Sequence, residues 1–107
     1  MAARNIDQIH FHKLSEGSKP VLVDFWAPWC GYCRRIGPAY DRIADQFSEQ
    51  LEVVKINIDE EPHLANAEKI EVIPTLVLYK NGKAVDSIVA PESKAVIEAF
   101  ISEALNK

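Results

Sequence analysis

The sequence has few cysteines, no runs of basic residues and no long apolar runs. Only 2 of its 107 residues are cysteine, too few for the disulfide framework that small secreted domains use. No apolar run approaches the ~20 residues needed to span a bilayer. No apolar signal-peptide core precedes Val21. We therefore expect a cytoplasmic protein that does not associate with membranes.

Positive charge is also scarce. The chain carries 12 lysines and arginines against 16 acidic residues, which gives a net charge of −4. Neither a basic run nor an alternation of basic and aromatic residues occurs, so nucleic acid is not expected as a partner. With 48% apolar residues, a chain of 107 residues can bury one core but not two. We expect a single domain over residues 1–107 and a monomer.

The two cysteines lie between two segments of different periodicity. Residues 21–26 form the apolar run typical of a buried strand, interrupted only by Asp24. Behind the cysteines, apolar residues recur every three or four positions, which predicts a helix over about residues 33–48. These positions are Ile36, Ala39, Tyr40, Ile43, Ala44 and Phe47. The order strand, Cys-x-x-Cys, helix predicts that Cys30 lies at the helix N-terminus and Cys33 one turn farther in.

Cys30 is therefore the candidate nucleophile. The helix dipole and the free backbone N–H groups favour a thiolate at this position and lower the pKa of the thiol. Such a thiolate attacks a disulfide and forms a mixed disulfide. We expect an exposed Cys30 to make this attack and a more sheltered Cys33 to resolve the product. Resolution needs a base, and burial of Asp24 would raise its pKa into the useful range. An Asp24 that is purely structural is the alternative.

The remaining pattern predicts the element order βαβαβαββα, with the first strand short or absent. Asn5 or Asp7 is expected to cap a first helix, with Ile9 among its apolar positions. The dipeptide Asn81-Gly82 predicts a hairpin between strands at 75–80 and 83–89. Ser93 is the expected cap of a last helix, with Val96 on its buried face. Alternating strands and helices in the first half predict an α/β fold with parallel strands.

Zinc binding is the alternative use of a Cys-x-x-Cys pair. A structural zinc site needs four ligands, and the missing two would have to come from His10, His12, His63 or acidic residues. No second compact pair of ligands occurs in the sequence. The spacing therefore favours dithiol–disulfide chemistry, and we expect no metal.

The segment Trp-Ala-Pro-Trp-Cys-Gly-Tyr-Cys at 26–33 resembles the active centre of the thioredoxin family. Asp24, Pro38, Asp59 and the tripeptide Ile73-Pro74-Thr75 extend the resemblance over about residues 6–105. It implies the thioredoxin fold, a mixed sheet of four or five strands with helices on both faces. It also implies a protein-disulfide reductase with no bound cofactor. Its partners would be client proteins with disulfides and a thioredoxin reductase that supplies electrons from NADPH through a flavin.

The resemblance also assigns roles to individual residues. Asp24 matches the aspartate that acts as base in the family, and Lys55 matches the lysine that tunes it; a solvated strand lysine is the alternative. Trp29 and Tyr32 would frame an apolar contact surface beside Gly31. The family proline that matches Pro74 is cis, and the backbone that matches Ile73 pairs with an extended client segment. Ala90 replaces a family glycine of the docking face, and its methyl group could narrow the range of partners.

Tyr32 departs from the family, which usually has proline before the second cysteine. Proline supplies no N–H, so Tyr32 adds an amide donor within reach of the Cys30 sulfur. A hydrogen bond to the thiolate stabilises the dithiol and makes the disulfide a better oxidant. We expect a potential above the roughly −270 mV of thioredoxin and below the about −180 mV of protein disulfide isomerase.

Two other functions remain open on the sequence. The Cys-Gly-Tyr-Cys centre also resembles that of periplasmic disulfide isomerases, so a disulfide oxidase or isomerase with a more oxidising couple is the second reading. A binding role without catalysis is the third, and no sequence feature supports it.

Overall fold

The computed structural model describes residues 2–107, and these residues form five strands and four helices in the predicted order. The strands are β1 (Arg4–Asn5), β2 (Val21–Trp26), β3 (Glu52–Asn57), β4 (Thr75–Lys80) and β5 (Lys83–Val89). The helices are α1 (Gln8–Ser15), α2 (Gly31–Gln46), α3 (Pro62–Ala67) and α4 (Lys94–Ala104). The first strand, expected to be short or absent, is present with 2 residues. No helix within this described range has the length and apolar character needed to cross a membrane.

All strands belong to one mixed sheet in the order β1-β3-β2-β4-β5. Both β1 and β2 run parallel to β3, as the helical connections in the first half of the chain predict. Strand β4 is antiparallel to β2 and to β5. Asn81 and Gly82 connect β4 to β5 with φ values of 54° and 78°, which a two-residue hairpin turn with a right-handed twist requires. The predicted hairpin is confirmed.

Each face of the sheet has its own apolar core, because successive residues of a strand point to opposite faces. Helices α2 and α4 cover the face that carries Leu22, Leu76 and Leu78. The helix residues packed there are Ile36, Tyr40, Ile43, Ile97, Phe100, Ile101 and Ala104. Phe11 and Leu64, from α1 and α3, cover the other face, which is formed by Val21, Val23, Phe25, Val54, Ile56, Val77 and Tyr79.

The register of the central strands brings three loops to one edge of the sheet. Phe25 near the end of β2 pairs with Thr75 at the start of β4. Thr75 also pairs with Val89 at the end of β5. The loop that leads into α2, the segment before β4 and the segment after β5 therefore meet at this edge. The candidate site lies there.

Three details differ from the sequence-based expectations. Helix α2 begins at Gly31 rather than near Cys33, because Cys30 is its N-cap and its sulfur accepts a hydrogen bond from the Cys33 amide. The placement of Ile9 on an apolar helix face is wrong, since Ile9 is 75% exposed, whereas Phe11, expected on the same face, is buried in the core. Val96 was expected on the buried face of α4 but is exposed. Only one side of each helix faces the sheet, so an apolar residue at the border of that side can be exposed even when the helix itself is predicted correctly.

Candidate active site

Cys30 and Cys33 form a disulfide at the N-terminus of α2. Their Cα atoms are 5.3 Å apart, since one helical turn separates the N-cap from the third residue of the helix. Cys30 is 9% exposed and Cys33 is 4% exposed. The expected contrast between an exposed Cys30 and a sheltered Cys33 is wrong for this disulfide form, in which both residues are buried. Cys30 has the larger exposed fraction of the two.

Asp24 is a buried carboxyl group in the middle of the central strand β2. It is 2% exposed, and its Oδ1 atom has no hydrogen-bond partner. Loss of hydration disfavours the charged form and raises the pKa of Asp24 to about 7, while the charge of Lys55 opposes this shift. A carboxyl group with this pKa can both accept and release a proton near neutral pH.

Cys33 faces the side of the sheet on which Asp24 lies. Along α2, Cys33, Ile36 and Tyr40 are buried at spacings of three and four, so they share the helix face that packs on the sheet. Asp24 alternates with Val23 and Phe25 and therefore points to the same face as Leu22, which is the face that α2 covers. The fold thus aligns the second cysteine and the buried carboxyl on one side of the sheet.

Lys55 lies opposite Asp24 in the parallel pairing of β2 with β3. It is partly buried, and its ammonium nitrogen is 4.6 Å from the centroid of the Trp26 ring. Trp26 is held in turn by a hydrogen bond of 2.7 Å from its Nε1 to Asn5 Oδ1. This arrangement differs from the freely solvated lysine that was the alternative reading. The positive charge of Lys55 lowers the pKa of Asp24, and the contact with Trp26 holds that charge over the indole ring.

The segment before β4 lies against the disulfide. The Ile73–Pro74 peptide bond is cis, and the carbonyl oxygen of Ile73 lies 3.9 Å from Cys30 Sγ. Pro74 is buried, whereas Val72, two residues earlier, is 55% exposed. The disulfide therefore has a backbone carbonyl beside Cys30 Sγ and an exposed apolar side chain close by in sequence.

Trp29 is an exposed aromatic side chain next to Cys30. It is 67% exposed, and its Nε1 donates to Asp59 Oδ2 at 3.0 Å. This bond restrains the ring without covering it. A Cβ atom added to the exposed Gly31 would have no heavy atom within 4 Å apart from its chain neighbours and the backbone of its own helix, so the surface at the disulfide is open at this position. An exposed aromatic ring beside an open surface is typical of a protein contact site.

Tyr32 lies between the two cysteines, and Ala90 lies in the loop after β5, the third loop at this edge. Ala90 has a φ of 46°, in the left-handed region that glycine adopts more readily, and its amide donates to Pro74 O at 2.9 Å. The Tyr32 hydroxyl donates to Pro91 O at 2.8 Å. The amide that donates to Cys30 Sγ here is that of Cys33, at 3.2 Å, so the expected Tyr32 donor stays a prediction for the dithiol.

Sequence reasoning missed two features of this region. Tyr40 was expected only as an apolar helix position, but it is fully buried and its hydroxyl donates to Val54 O at 2.7 Å. A tyrosine at a core position of a helix is a signal that its hydroxyl needs an acceptor. The carbonyl of Pro91 was also missed, because the acceptor is a backbone atom that the sequence does not mark. Both features concern hydrogen bonds around the site, and the prediction that Cys30 and Cys33 form its centre does not depend on them.

The candidate ligands of the zinc alternative are not brought together. Among residues 2–107, no group of three or more His, Cys, Asp or Glu side chains is arranged to hold a metal ion. The two cysteines are instead bonded to each other. The disulfide, the buried carboxyl and the exposed surface around Trp29 therefore describe a site for thiol–disulfide exchange.

Comparisons with known proteins agree with this geometry. The family model described as thioredoxin matches residues 3–103. Thioredoxin 1 of Synechococcus elongatus is 46% identical over 97 residues, which cover 91% of each chain. Thioredoxin 1 of a Nostoc species is 42% identical over 106 residues, covering 99% of this chain and 95% of the relative. The crystal structure of Malassezia sympodialis thioredoxin is similar with a TM-score of 0.86 and 32% identity, covering 96% of this chain and 90% of the other.

The fold and the disulfide site define a thiol–disulfide oxidoreductase. The chain belongs to the thioredoxin family, as its match to the family model over nearly its whole length shows. Its function is that of a protein-disulfide reductase, and the family carries no prosthetic group. The predictions of fold, family and reaction class are thereby confirmed.

Proposed function

We propose that Cys30 and Cys33 reduce client disulfides in two steps, with Asp24 as the base. The Cys30 thiolate attacks one sulfur of the client, a Cys30–client disulfide forms, and the other client sulfur leaves as a thiolate that takes up a proton. Asp24 then accepts the proton of Cys33, whose thiolate attacks Cys30 Sγ. The Cys30–Cys33 bond forms, and the second client thiolate leaves. Two electrons pass from the dithiol to the client.

The burial of Asp24 carries the assignment of the base. Its side chain is almost fully enclosed under α2, and its pKa of about 7 lies where a carboxylate can deprotonate a thiol at neutral pH. Lys55 opposes the upward shift, so it keeps a larger fraction of Asp24 ionised at that pH. We assign Lys55 as the residue that tunes the base.

The client-docking surface in this proposal consists of Trp29, Ile73, Pro74 and Ala90, with Gly31 and Tyr32 between the cysteines. Trp29 supplies exposed apolar area, and the Ile73 backbone lies beside Cys30 Sγ, where an extended client segment can pair with it. The occupant is a protein segment that presents a disulfide to Cys30. Docking of this kind orients the client sulfur for attack.

The supply of electrons completes the proposed cycle. A reductase that draws on NADPH through a flavin would return two electrons to the Cys30–Cys33 disulfide. We further propose that the chain acts as a single-domain monomer in the cytoplasm. The similar thioredoxins include two from cyanobacteria and one that is named chloroplastic, so relatives of this chain occur in more than one cellular setting. Fractionation of the source cells is the direct test of location.

Reduction of insulin by the dithiol, regenerated with dithiothreitol, tests the proposal. The parent protein should accelerate insulin reduction, and Cys30→Ser should abolish the acceleration. When the reduced Cys33→Ser protein is mixed with insulin after removal of dithiothreitol, it should accumulate a mixed disulfide between Cys30 and the client, because the resolving thiol is missing. Each cysteine variant is the control for the other. Accumulation of the mixed disulfide by Cys30→Ser rather than Cys33→Ser would reverse the assigned roles.

The oxidase or isomerase alternative is distinguished by the reduction potential of the couple. Equilibration with glutathione should give a value near or below about −240 mV for a reductase. A value near about −180 mV or higher would favour the oxidase or isomerase reading.

A further inference from the structure

The side chain of Tyr32 connects the cysteine motif to the loop between β5 and α4. Its hydroxyl donates to Pro91 O at 2.8 Å across a sequence separation of 59 residues. Tyr32 is half-buried and its ring packs against the apolar core under α2 and α4, while Pro91 is buried. The ring is therefore supported on the core side, and the hydroxyl is directed at one carbonyl of the loop.

The same loop has a second attachment from the segment before β4. The Ala90 amide donates to Pro74 O at 2.9 Å, and Pro74 follows Ile73, whose carbonyl lies 3.9 Å from Cys30 Sγ. Ala90 and Pro91 are thus held by Pro74 on one side and by Tyr32 on the other. Together these contacts connect both residues of the loop to the two segments that flank the disulfide.

The Ala90–Pro91 segment has few hydrogen-bonding groups that can fix its conformation. Pro91 has no N–H and can use only its carbonyl in a hydrogen bond. Ala90 has a φ of 46°, a conformation that costs a residue with a Cβ atom free energy and that surrounding contacts must maintain. The Tyr32 hydroxyl supplies one such contact. Without it, the carbonyl of Pro91 would depend on water, and the loop would lose its attachment to the cysteine motif.

The loop lies where a client would extend from the disulfide. Val89, directly before it, is 51% exposed, and Trp29, directly before Cys30 in the sequence, is 67% exposed. Ala90 follows Val89 and binds Pro74, which follows Ile73 beside Cys30, so we expect a macromolecular client that contacts both Cys30 and Val89 to contact Ala90 as well. A small disulfide that fills only the space at Cys30 does not. Order in this segment therefore matters for protein clients in particular, since binding to an ordered loop costs less entropy.

We propose that Tyr32 is a positioning residue for client recognition, which fixes the Ala90–Pro91 segment through its hydroxyl and so favours protein disulfides over small ones. This role is separate from the expected action of the Tyr32 backbone amide on the Cys30 sulfur. It rests on the proposed function, because it takes Ala90 as part of the surface that contacts the client.

Tyr32→Phe tests the proposal, because it keeps the ring and the backbone amide and removes only the hydroxyl. Tyr79→Phe is the matched control: the Tyr79 hydroxyl is bonded to Glu68, and its ring packs in the core on the opposite face of the sheet. The first measurement is hydrogen exchange of the Ala90 amide in the oxidised protein. Tyr32→Phe should accelerate it about three- to ten-fold, as expected for the loss of one hydrogen bond, and Tyr79→Phe should leave it unchanged.

The second measurement compares insulin with oxidised glutathione as substrates. Tyr32→Phe should raise KM for insulin about three- to ten-fold with little change in kcat, so that the preference for insulin over glutathione falls by a similar factor. Tyr79→Phe should keep the preference of the parent protein. Equal losses for both substrates, or an unchanged exchange rate of the Ala90 amide, would overturn the proposal.

These two measurements separate the inference from the function on which it rests. A parent protein that reduces neither substrate would refute the proposed reductase mechanism, whereas the exchange rate of Ala90 would still decide whether the Tyr32 hydroxyl orders the loop. A parent that reduces both substrates, combined with an unchanged preference in Tyr32→Phe, would refute only the recognition role.

Discussion

Asp24 and Lys55 lie opposite each other across β2 and β3, yet the ammonium group of Lys55 lies over the ring of Trp26, 4.6 Å from its centroid. Oδ1 of Asp24 has no hydrogen-bond partner, so no donor offsets the loss of hydration at that atom. The pKa of Asp24 therefore rises to about 7 in spite of the neighbouring positive charge. Such a carboxyl group reduces stability when it is ionised, and the same raised pKa is what the proposed role as a base requires.

Asp24→Asn should stabilise the protein above neutral pH. Because the pKa of Asp24 is raised from 3.8 to about 7 on folding, the folded state keeps a proton that the unfolded state loses above about pH 4. The free energy of unfolding therefore falls as the pH rises from about 4 to about 7 and is level above that. A shift of this size corresponds to at most about 4 kcal/mol. Urea unfolding at pH 8 should show part of this gain, and at pH 4 almost none.

The matched control for this prediction is Glu92→Gln, the same type of substitution at an exposed carboxylate. It should change the free energy of unfolding by less than about 0.5 kcal/mol at either pH. A gain for Asp24→Asn that is equal at pH 4 and pH 8 would show that ionisation of Asp24 is not its cause.

Lys55→Gln should raise the pKa of Asp24 further. The positive charge of Lys55 lowers this pKa, so its removal leaves the effect of burial unopposed. Carbon-13 NMR of the Asp24 carboxyl group during a pH titration measures the shift directly. Lys83→Gln, an exposed lysine next to the hairpin turn at the start of β5, is the control and should leave the titration of Asp24 as in the parent. An unchanged or lower pKa of Asp24 in Lys55→Gln would contradict the role assigned to Lys55.

Tyr32→Pro should lower the reduction potential of the Cys30–Cys33 couple. Proline removes the backbone N–H at this position, and with it a donor that we expect to stabilise the Cys30 thiolate in the dithiol. Each tenfold change in the equilibrium constant corresponds to about 30 mV. Equilibration with glutathione measures the potential. Tyr32→Phe keeps the amide and should retain the potential of the parent, and a similar shift in both variants would argue against the amide as the cause.

Ala90→Gly should increase the free energy of unfolding by about 0.5–1 kcal/mol. The φ of 46° at Ala90 is unfavourable for a residue with a Cβ atom, and glycine relieves that cost at the expense of a more flexible unfolded chain. Ala99→Gly provides a control of opposite sign, because Ala99 is an exposed residue in the interior of α4. It should lower the free energy of unfolding by about 0.5–1 kcal/mol. Destabilisation by both substitutions would mean that contacts of the Ala90 methyl group outweigh the backbone term.

Most of the fold could be predicted from local patterns. The bounds of β2, β4 and β5 agree with the apolar runs, and Asn81-Gly82 marked the turn between the last two strands. Ser93 caps α4 as predicted, with its hydroxyl accepting from the Val96 amide. These signals depend on residues close together in the chain, which is why the sequence alone was sufficient to interpret them. The exposure of Ile9 and Val96 could not, because it depends on how each helix rotates against the sheet.

The chemical centre was also determined by the sequence itself. The spacing of Cys30 and Cys33 just before an amphipathic helix sets one cysteine at the N-cap and the other one turn later, wherever that helix packs. The match to the thioredoxin family then followed from residues 24–33 and 73–75 together with isolated positions such as Pro38. Local chain geometry is sufficient for this part, because both sulfurs belong to the same turn of helix.

Only the tertiary structure decided how distant segments act on that centre. Sheet register placed Ile73 beside Cys30 and Lys55 opposite Asp24, and packing of α2 enclosed the Asp24 carboxyl and raised its pKa. The bond from Tyr32 to Pro91 joins residues 59 positions apart, and its acceptor is a backbone carbonyl. The type of a side chain can be read from the sequence, but every residue has a backbone carbonyl, so the sequence does not show which carbonyl accepts a hydrogen bond. Its position follows only from the way the strands align, and that alignment is a property of the whole fold.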